Sequence, residues 1–81
     1  MEAPVNDPDI NAQVGLRIAT LRKVVGWSQE DLAERSGVDR SHIGSIESGG
    51  KHSPTMDTVK GIADAFGISI QDFFTDEMFR R

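Results

Sequence analysis

Two short helical patterns separated by a single glycine occupy residues 28–49. Ser28 can cap the first helix, and Gly37 can take the left-handed conformation that ends it. Ile43 and Ile46 then repeat at the spacing of one helical face. Two short helices around so tight a turn restrict the chain to a compact helical arrangement, in which the second helix buries its isoleucines and exposes its other side.

The exposed side of this second helix, which we place at about residues 39–48 with Asp39 as its cap, is small and polar. On a helical wheel the inner side carries His42, Ile43, Ile46 and Glu47. The outer side carries Arg40, Ser41, Gly44, Ser45 and Ser48. Because most of these outer side chains are small, the face can approach a partner closely.

Three further helices are predicted from apolar side chains at helical spacing. The first spans residues 10–25, with an apolar face of Val14, Ile18, Leu21 and Val25. The fourth lies between a Thr55 cap and Gly67, with apolar positions at Met56, Val59, Ile62, Ala63 and Phe66. A fifth apolar segment covers residues 68–79. We therefore expect an all-α fold of five helices over residues 10–81, preceded by a mobile acidic arm over residues 1–9.

Size and charge narrow the classes of function. A single domain of 81 residues leaves little room for an enclosed active site, and the absence of cysteine excludes disulfides and thiolate metal sites. The net charge of -4 argues against coating nucleic acid through bulk electrostatics. Residues 16–60 nevertheless hold seven Lys or Arg against six Asp or Glu, so local arrangement decides what the protein contacts.

Two helices joined by a tight turn, the second polar on its outer side, have the geometry of a helix-turn-helix. In that motif the second helix enters the major groove of DNA, which is about 12 Å wide and admits one helix. Arg40, in the first turn, can reach base edges, while Ser41 and Ser45 can bond to bases or phosphates. We predict that residues 39–48 form a recognition helix for double-stranded DNA.

The residues at fixed positions of this segment also form a specific pattern. They are Gln29, Leu32, Ala33, Gly37, Ile43, Ile46, Glu47 and Gly49. This pattern resembles the Cro/CI-type helix-turn-helix family, also called lambda-repressor-like or XRE, over about residues 16–74. The resemblance implies a five-helix DNA-binding transcriptional regulator, usually a dimer, similar to phage repressors or to the controller proteins of restriction-modification systems.

The resemblance also implies roles for individual residues. Arg40, Ser41 and Ser45 match base-reading positions. The positions matching contacts to the DNA backbone are Gln29, Ser48 and Lys51. Arg22 and Glu47 match a structural ion pair that ties helix one to helix three.

The end of the chain carries more apolar surface than a small core needs. Ile68, Ile70 and Phe73 are the best candidates to close the core. Phe74, Met78 and Phe79 remain, and we predict that they form a dimer interface. The leading hypothesis is therefore a homodimeric regulator on an inverted-repeat operator. The alternative is an antitoxin or protein-interaction module, in which the tail binds a partner and DNA binding is secondary.

No enzymatic arrangement stands out in the sequence. The serines lack a matching His and Asp set, no phosphate-binding glycine motif is present, and His42 and His52 have no cysteine partners for a metal. We expect no catalytic residue, no cofactor, no metal and no small-molecule ligand. The acidic amino terminus does not resemble a secretory signal, and we expect a cytoplasmic protein without contact to a membrane.

Overall fold

The computed structural model describes residues 10–49 and 54–75, which form five helices and no strand. The helices are α1 (Ile10–Val25), α2 (Gln29–Ser36), α3 (Arg40–Glu47), α4 (Met56–Phe66) and α5 (Ile70–Phe73). The prediction of an all-α, five-helix fold is confirmed. The predicted arm at residues 1–9 lies outside the described residues.

Short-range capping contacts set the helix bounds, as the sequence predicts. Ser28 and Asp31 form a reciprocal capping box, in which the Asp31 amide donates to the Ser28 Oγ and the Ser28 amide donates to the Asp31 carboxylate. The helix that begins there ends at Gly37, whose φ of 75° is left-handed. Thr55 caps α4 by accepting from the Thr58 amide at 3.1 Å. α2 and α3 are therefore held to eight residues each with a fixed turn between them.

One buried cluster lies between the helices. Its members are Val14, Ile18, Leu32, Ile43, Ile46, Val59, Ile62, Ala63 and Phe73. Each of the five helices contributes at least one of these side chains, so the cluster fixes α3 against all its neighbours. Trp27 adds a second layer by stacking on Phe66, with 5.3 Å between the ring centroids.

Two residues of the predicted apolar faces do not join this core. Val25 is 47% exposed and Met56 is 61% exposed. Val25 is the last residue of α1 and Met56 the first of α4, so both lie at helix ends, where the wheel periodicity continues but the buried cluster does not. Helical spacing places these two residues on apolar faces, but it does not show where the core ends.

The described residues end at Thr75 and so contain only the first part of the predicted fifth segment. α5 spans only Ile70–Phe73, capped by the Ser69 hydroxyl, which accepts from the Asp72 amide at 2.9 Å. Phe73 is fully buried, whereas Ile68 and Ile70 are half-buried against the cluster. Arg17 of α1 closes the end of α5 by donating to the carbonyl oxygens of Phe73 and Asp72.

Candidate nucleic-acid interface

The outer face of α3 is formed by the predicted contact residues. Arg40, Ser41 and Ser48 are exposed, while Ser45 is half-buried. Gly44, between them, is also half-buried, and a Cβ built on it would approach only the Gln29 side chain, at 3.5 Å or more. The face is therefore flat, with Arg40 as its one long side chain.

Two of the serine hydroxyls on this face already donate within the protein. The Ser41 hydroxyl donates to the Asp39 carboxylate, which also accepts from the Ser41 amide at 3.1 Å. The Ser48 hydroxyl donates to the Ser45 carbonyl oxygen at 3.0 Å. A hydroxyl has one proton to donate and two lone pairs that accept. In this conformation Ser41 and Ser48 can therefore serve a partner as acceptors, but not as donors.

A bidentate ion pair joins α1 to the end of α3. Arg22 Nε lies 2.9 Å from Glu47 Oε2, and Arg22 Nη2 lies 3.1 Å from Glu47 Oε1. The side chains are 15% and 8% exposed, respectively. Arg22 Nη1 also donates to the Trp27 carbonyl oxygen at 2.8 Å, so the same guanidinium holds the turn before α2. The structure thus forms the pair that the family resemblance implies.

Gln29, the first residue of α2, extends this network to Arg40. Its Nε2 donates to Glu47 Oε1 at 3.1 Å, and its Oε1 accepts a longer contact of 3.4 Å from Arg40 Nη1. Four side chains from three helices, Arg22, Glu47, Gln29 and Arg40, are therefore connected in one chain of polar contacts. The outer face of α3 is fixed both by the core beneath it and by this network beside it.

The electrostatics of the helix ends follow from these contacts. Hydrogen bonds from the Ser41 hydroxyl and amide hold the pKa of Asp39 below its ordinary value of 3.8. Bonds from the Ser28 backbone and side chain lower the pKa of Asp31 in the same way. The hydrogen bond to Glu47 raises the pKa of Arg22 above its ordinary value. The carboxylates of Asp31 and Asp39 and the guanidinium of Arg22 are therefore charged at neutral pH.

The structure leaves three predicted site residues undescribed. Lys51, Met78 and Phe79 lie outside residues 10–49 and 54–75. Phe74 is half-buried and meets Phe73 edge to face, with 4.9 Å between the ring centroids. Only part of the Phe74 side chain is therefore available to a partner.

Sequence reasoning did not single out Gly15, which sets the position of α3. A Cβ built on Gly15 would lie 2.1 Å from the Ile46 carbonyl oxygen, so α1 and α3 cross in backbone contact. A glycine in the middle of an amphipathic helix costs stability, and that cost is the signal that could have marked Gly15 as a close crossing.

The described residues contain no group of three or more His, Asp or Glu side chains placed to hold a metal ion. Among the described helices, none has the length and apolarity that crossing a bilayer requires. What the described part does present is a short helix with a small polar face, positioned by α1 and α2.

This combination of turn, face and supporting helices defines a helix-turn-helix protein that binds DNA. Residues 18–73 match the model of the family HTH_3, described as helix-turn-helix, and the chain belongs to this family. Its members and relatives are DNA-binding transcriptional regulators, and the Cro/CI-type resemblance is confirmed.

Individual relatives agree with this assignment. The chain is 34% identical over 67 residues to the uncharacterized HTH-type transcriptional regulator y4dJ of Sinorhizobium fredii, covering 83% of this chain and 86% of that protein. It is 36% identical over 62 residues to the HTH-type transcriptional regulator PuuR of Escherichia coli, covering 76% of this chain but only 33% of PuuR. The chain thus spans most of the first relative and about a third of the second.

A solved structure shows the same fold. The crystal structure of the restriction-modification controller protein C.AhdI from Aeromonas hydrophila has a TM-score of 0.74 and 34% identity to this chain. The match covers 80% of this chain and 97% of C.AhdI. The fold assignment therefore rests on a likeness that extends over nearly the whole of a solved protein.

Proposed function

We propose that the protein is a homodimeric transcriptional regulator that binds an inverted-repeat operator in the cytoplasm, with α3 of each copy in the major groove. The observation that carries this proposal is the flat outer face of α3, which has one long side chain, Arg40, at its start. Close approach of the helix backbone to the groove floor needs such small side chains, and a single arginine then reaches the bases.

Arg40 is the proposed main base contact. A guanidinium donates two parallel hydrogen bonds to O6 and N7 of guanine, the most frequent specific contact in the major groove. Its position at the start of α3 opposes the helix dipole, so a solvated charge gains nothing from lying there. Contact with a base explains the placement.

Ser41 and Ser45 are proposed as secondary base contacts with different chemistry. Because the Ser41 hydroxyl donates to Asp39, it can accept from an exocyclic amino group of cytosine or adenine. Within the described residues, the Ser45 hydroxyl has no hydrogen-bond partner, so it can donate or accept. The two serines would therefore favour different base edges.

Backbone contacts are assigned to Gln29, Ser48 and Lys51. Gln29 Nε2 uses one N–H on Glu47 and retains a second for a phosphate, near the positive end of α2. Ser48 can donate to a phosphate only if its hydroxyl turns away from the Ser45 carbonyl oxygen. Lys51 would add a positive charge in the loop after α3.

Dimerisation through Phe74, Met78 and Phe79 would supply the affinity for DNA that a single copy lacks. A single face offers few positive charges, so its contacts with phosphates are few and its affinity modest. Two recognition helices about 34 Å apart would read two half-sites one helical turn apart and bind cooperatively. The likeness to C.AhdI, a restriction-modification controller protein, supports a small regulator of this type.

Comparing Arg40→Ala with Lys60→Ala tests this function. Both variants remove one positive charge, but Lys60 lies on α4 and pairs with Asp64 at 2.8 Å. We expect Arg40→Ala to lose about 1–3 kcal/mol of discrimination at one base pair of each half-site, and Lys60→Ala to retain it. An equal loss on every duplex would move Arg40 to a backbone role, and no loss would exclude Arg40 from the interface.

A further inference from the structure

The side-chain amide of Gln29 is held between two charged groups of opposite sign. Glu47 Oε1 accepts from its nitrogen at 3.1 Å, and Arg40 Nη1 contacts its oxygen at 3.4 Å. The two neighbours come from opposite ends of α3, and Gln29 comes from α2. The side chains from the two ends of α3 therefore converge on this one amide, which links a nearly buried anion to an exposed cation.

The chemistry of Glu47 determines which way this amide points. A carboxylate only accepts hydrogen bonds, so it must face the NH2 group of Gln29 rather than the carbonyl oxygen. The oxygen is then left facing Arg40, which only donates. With the amide reversed, Gln29 would set oxygen against oxygen at Glu47 and nitrogen against nitrogen at Arg40. The charge of Glu47 thus selects the orientation that can hold Arg40.

We propose that Glu47 is a positioning residue for base recognition, which acts through Gln29 to preset the guanidinium of Arg40. Glu47 itself is nearly buried and is bound to Arg22. The inference rests on the proposed function of Arg40 and adds to the structural role of the ion pair. In this account the ion pair has two effects: it ties α1 to α3, and it sets the specificity of the face.

The energetic reason lies in the freedom of a long exposed side chain. Arg40 has many rotamers, and ordering it on a guanine costs conformational entropy at binding. The contact with Gln29 uses one of its five N–H donors and leaves the others for a base. A preset guanidinium therefore favours the preferred operator over a duplex that lacks the guanine, because only the preferred operator makes use of it.

A double-mutant cycle on the full chain tests this inference. Glu47→Gln keeps the shape of the side chain but replaces an obligate acceptor with an amide that accepts either orientation of Gln29. The measured quantity is the Kd for an operator changed only at the base pair that Arg40 reads, divided by the Kd for the preferred operator. Arg40→Ala, and the double variant, complete the cycle.

We expect Glu47→Gln to lower this ratio by about 2- to 12-fold, the effect of losing one preset long side chain. In the Arg40→Ala background the same change should leave the ratio unaltered. A purely structural role for Glu47 would reduce the folded fraction, which weakens binding to both duplexes equally and leaves the ratio as it is. An unchanged ratio in otherwise wild-type protein would therefore overturn the inference while leaving the function of Arg40 intact.

If Glu47→Gln does not fold, Gln29→Met provides the same test without touching the ion pair. It removes the amide between Glu47 and Arg40, so the ratio at the Arg40 base pair should fall by a similar factor, together with a uniform loss from the missing phosphate contact. Full retention of the ratio would show that Arg40 needs no support from Glu47. If Arg40→Ala alone left the Kd ratio unchanged, the proposed base contact of Arg40 would be wrong. The single variant in the cycle therefore distinguishes failure of the proposed function from failure of the role of Glu47.

Discussion

The Gly15 Cα lies so close to the Ile46 carbonyl group that an added Cβ would be 2.1 Å from its oxygen. No other glycine of the described residues has backbone this near. The crossing sets the distance between α1 and α3, and Arg22, two turns further along α1, meets Glu47 because of it. The absence of a side chain at position 15 of α1 therefore allows α3 to lie where it does.

Gly15→Ala should destabilise the fold. The new methyl group would meet backbone atoms of α3, which cannot move aside as a flexible side chain can. Overpacking of this kind costs about 1–3 kcal/mol, and more where the backbone must shift. Urea unfolding followed by circular dichroism would measure the loss.

Gly44→Ala is the matched control for this prediction. It is the same substitution in the middle of a helix, but its Cβ would make only an ordinary contact of 3.5 Å with Gln29. The gain in helix propensity should then stabilise the protein by about 0.5–1 kcal/mol. Equal effects of the two substitutions would contradict the close crossing at Gly15.

Breaking the ion pair from the Arg22 side should be costly. Arg22→Met leaves the Glu47 carboxylate, 8% exposed, without its guanidinium. Removing one partner of a buried pair costs about 3–5 kcal/mol, and we expect a loss near the lower end because Gln29 still donates to Glu47. Differential scanning calorimetry would detect a loss of this size as a marked fall in Tm.

Lys60→Ala is the control for the ion pair, because Lys60 and Asp64 are about 60% exposed. An exposed pair on a helix contributes about 0.3–0.5 kcal/mol. If Arg22→Met cost no more than Lys60→Ala, the half-buried pair could not be holding α1 against α3.

Acid should weaken the fold through the caps of α2 and α3. The pKa values of Asp31 and Asp39 are lowered below 3.8, so both groups bind protons more weakly in the folded state than in the unfolded chain. Their stabilisation is complete above about pH 4 and is lost as the pH falls through the lowered folded-state values. Urea midpoints measured from pH 7 down to pH 2 should show this decline.

Asn in place of Asp31 and Asp39 should flatten that acid dependence. Asn is a good N-cap at position 39, and at position 31 its amide oxygen can still accept from the Ser28 amide, so Asp31→Asn with Asp39→Asn keeps both acceptors but removes the titration. A decline as steep as that of the wild type would place the acid sensitivity in other groups.

Helix positions and caps were largely predictable because they depend on near neighbours. The Ser28 box, the Gly37 stop and the Thr55 cap are contacts within three or four residues, and the sequence shows both partners side by side. The residues of the outer face of α3 follow from the same periodicity. For these features, the residues that make the stabilising contacts are close together in the sequence, so the contacts can be predicted from it.

The features that were missed depend on where one helix meets another. The exposure of Val25 and Met56 depends on where neighbouring helices end, and the tight crossing at Gly15 depends on the path of α3. The bridge from Glu47 to Arg40 joins two residues of α3 through Gln29 on α2. Periodicity identifies the faces of these helices but gives no distance between them.

Removing the aromatic tail residues should separate the dimer. Phe74→Ala with Phe79→Ala deletes two of the three proposed interface side chains, so the mass from size exclusion with light scattering should fall toward that of one chain. Val24→Ala, at a position 77% exposed on α1, should leave the mass unchanged. An unaltered dimer in the double variant would place the interface elsewhere.

Selection of bound duplexes from a random library at low salt tests the central claim most directly. We expect one inverted repeat to be enriched. In each half-site, Arg40→Ala should abolish the base preference at one base pair, whereas Lys60→Ala should enrich the same motif as the wild type. Failure to enrich any motif with folded protein would contradict sequence-specific recognition by α3, and would favour an interaction module in which DNA binding is secondary.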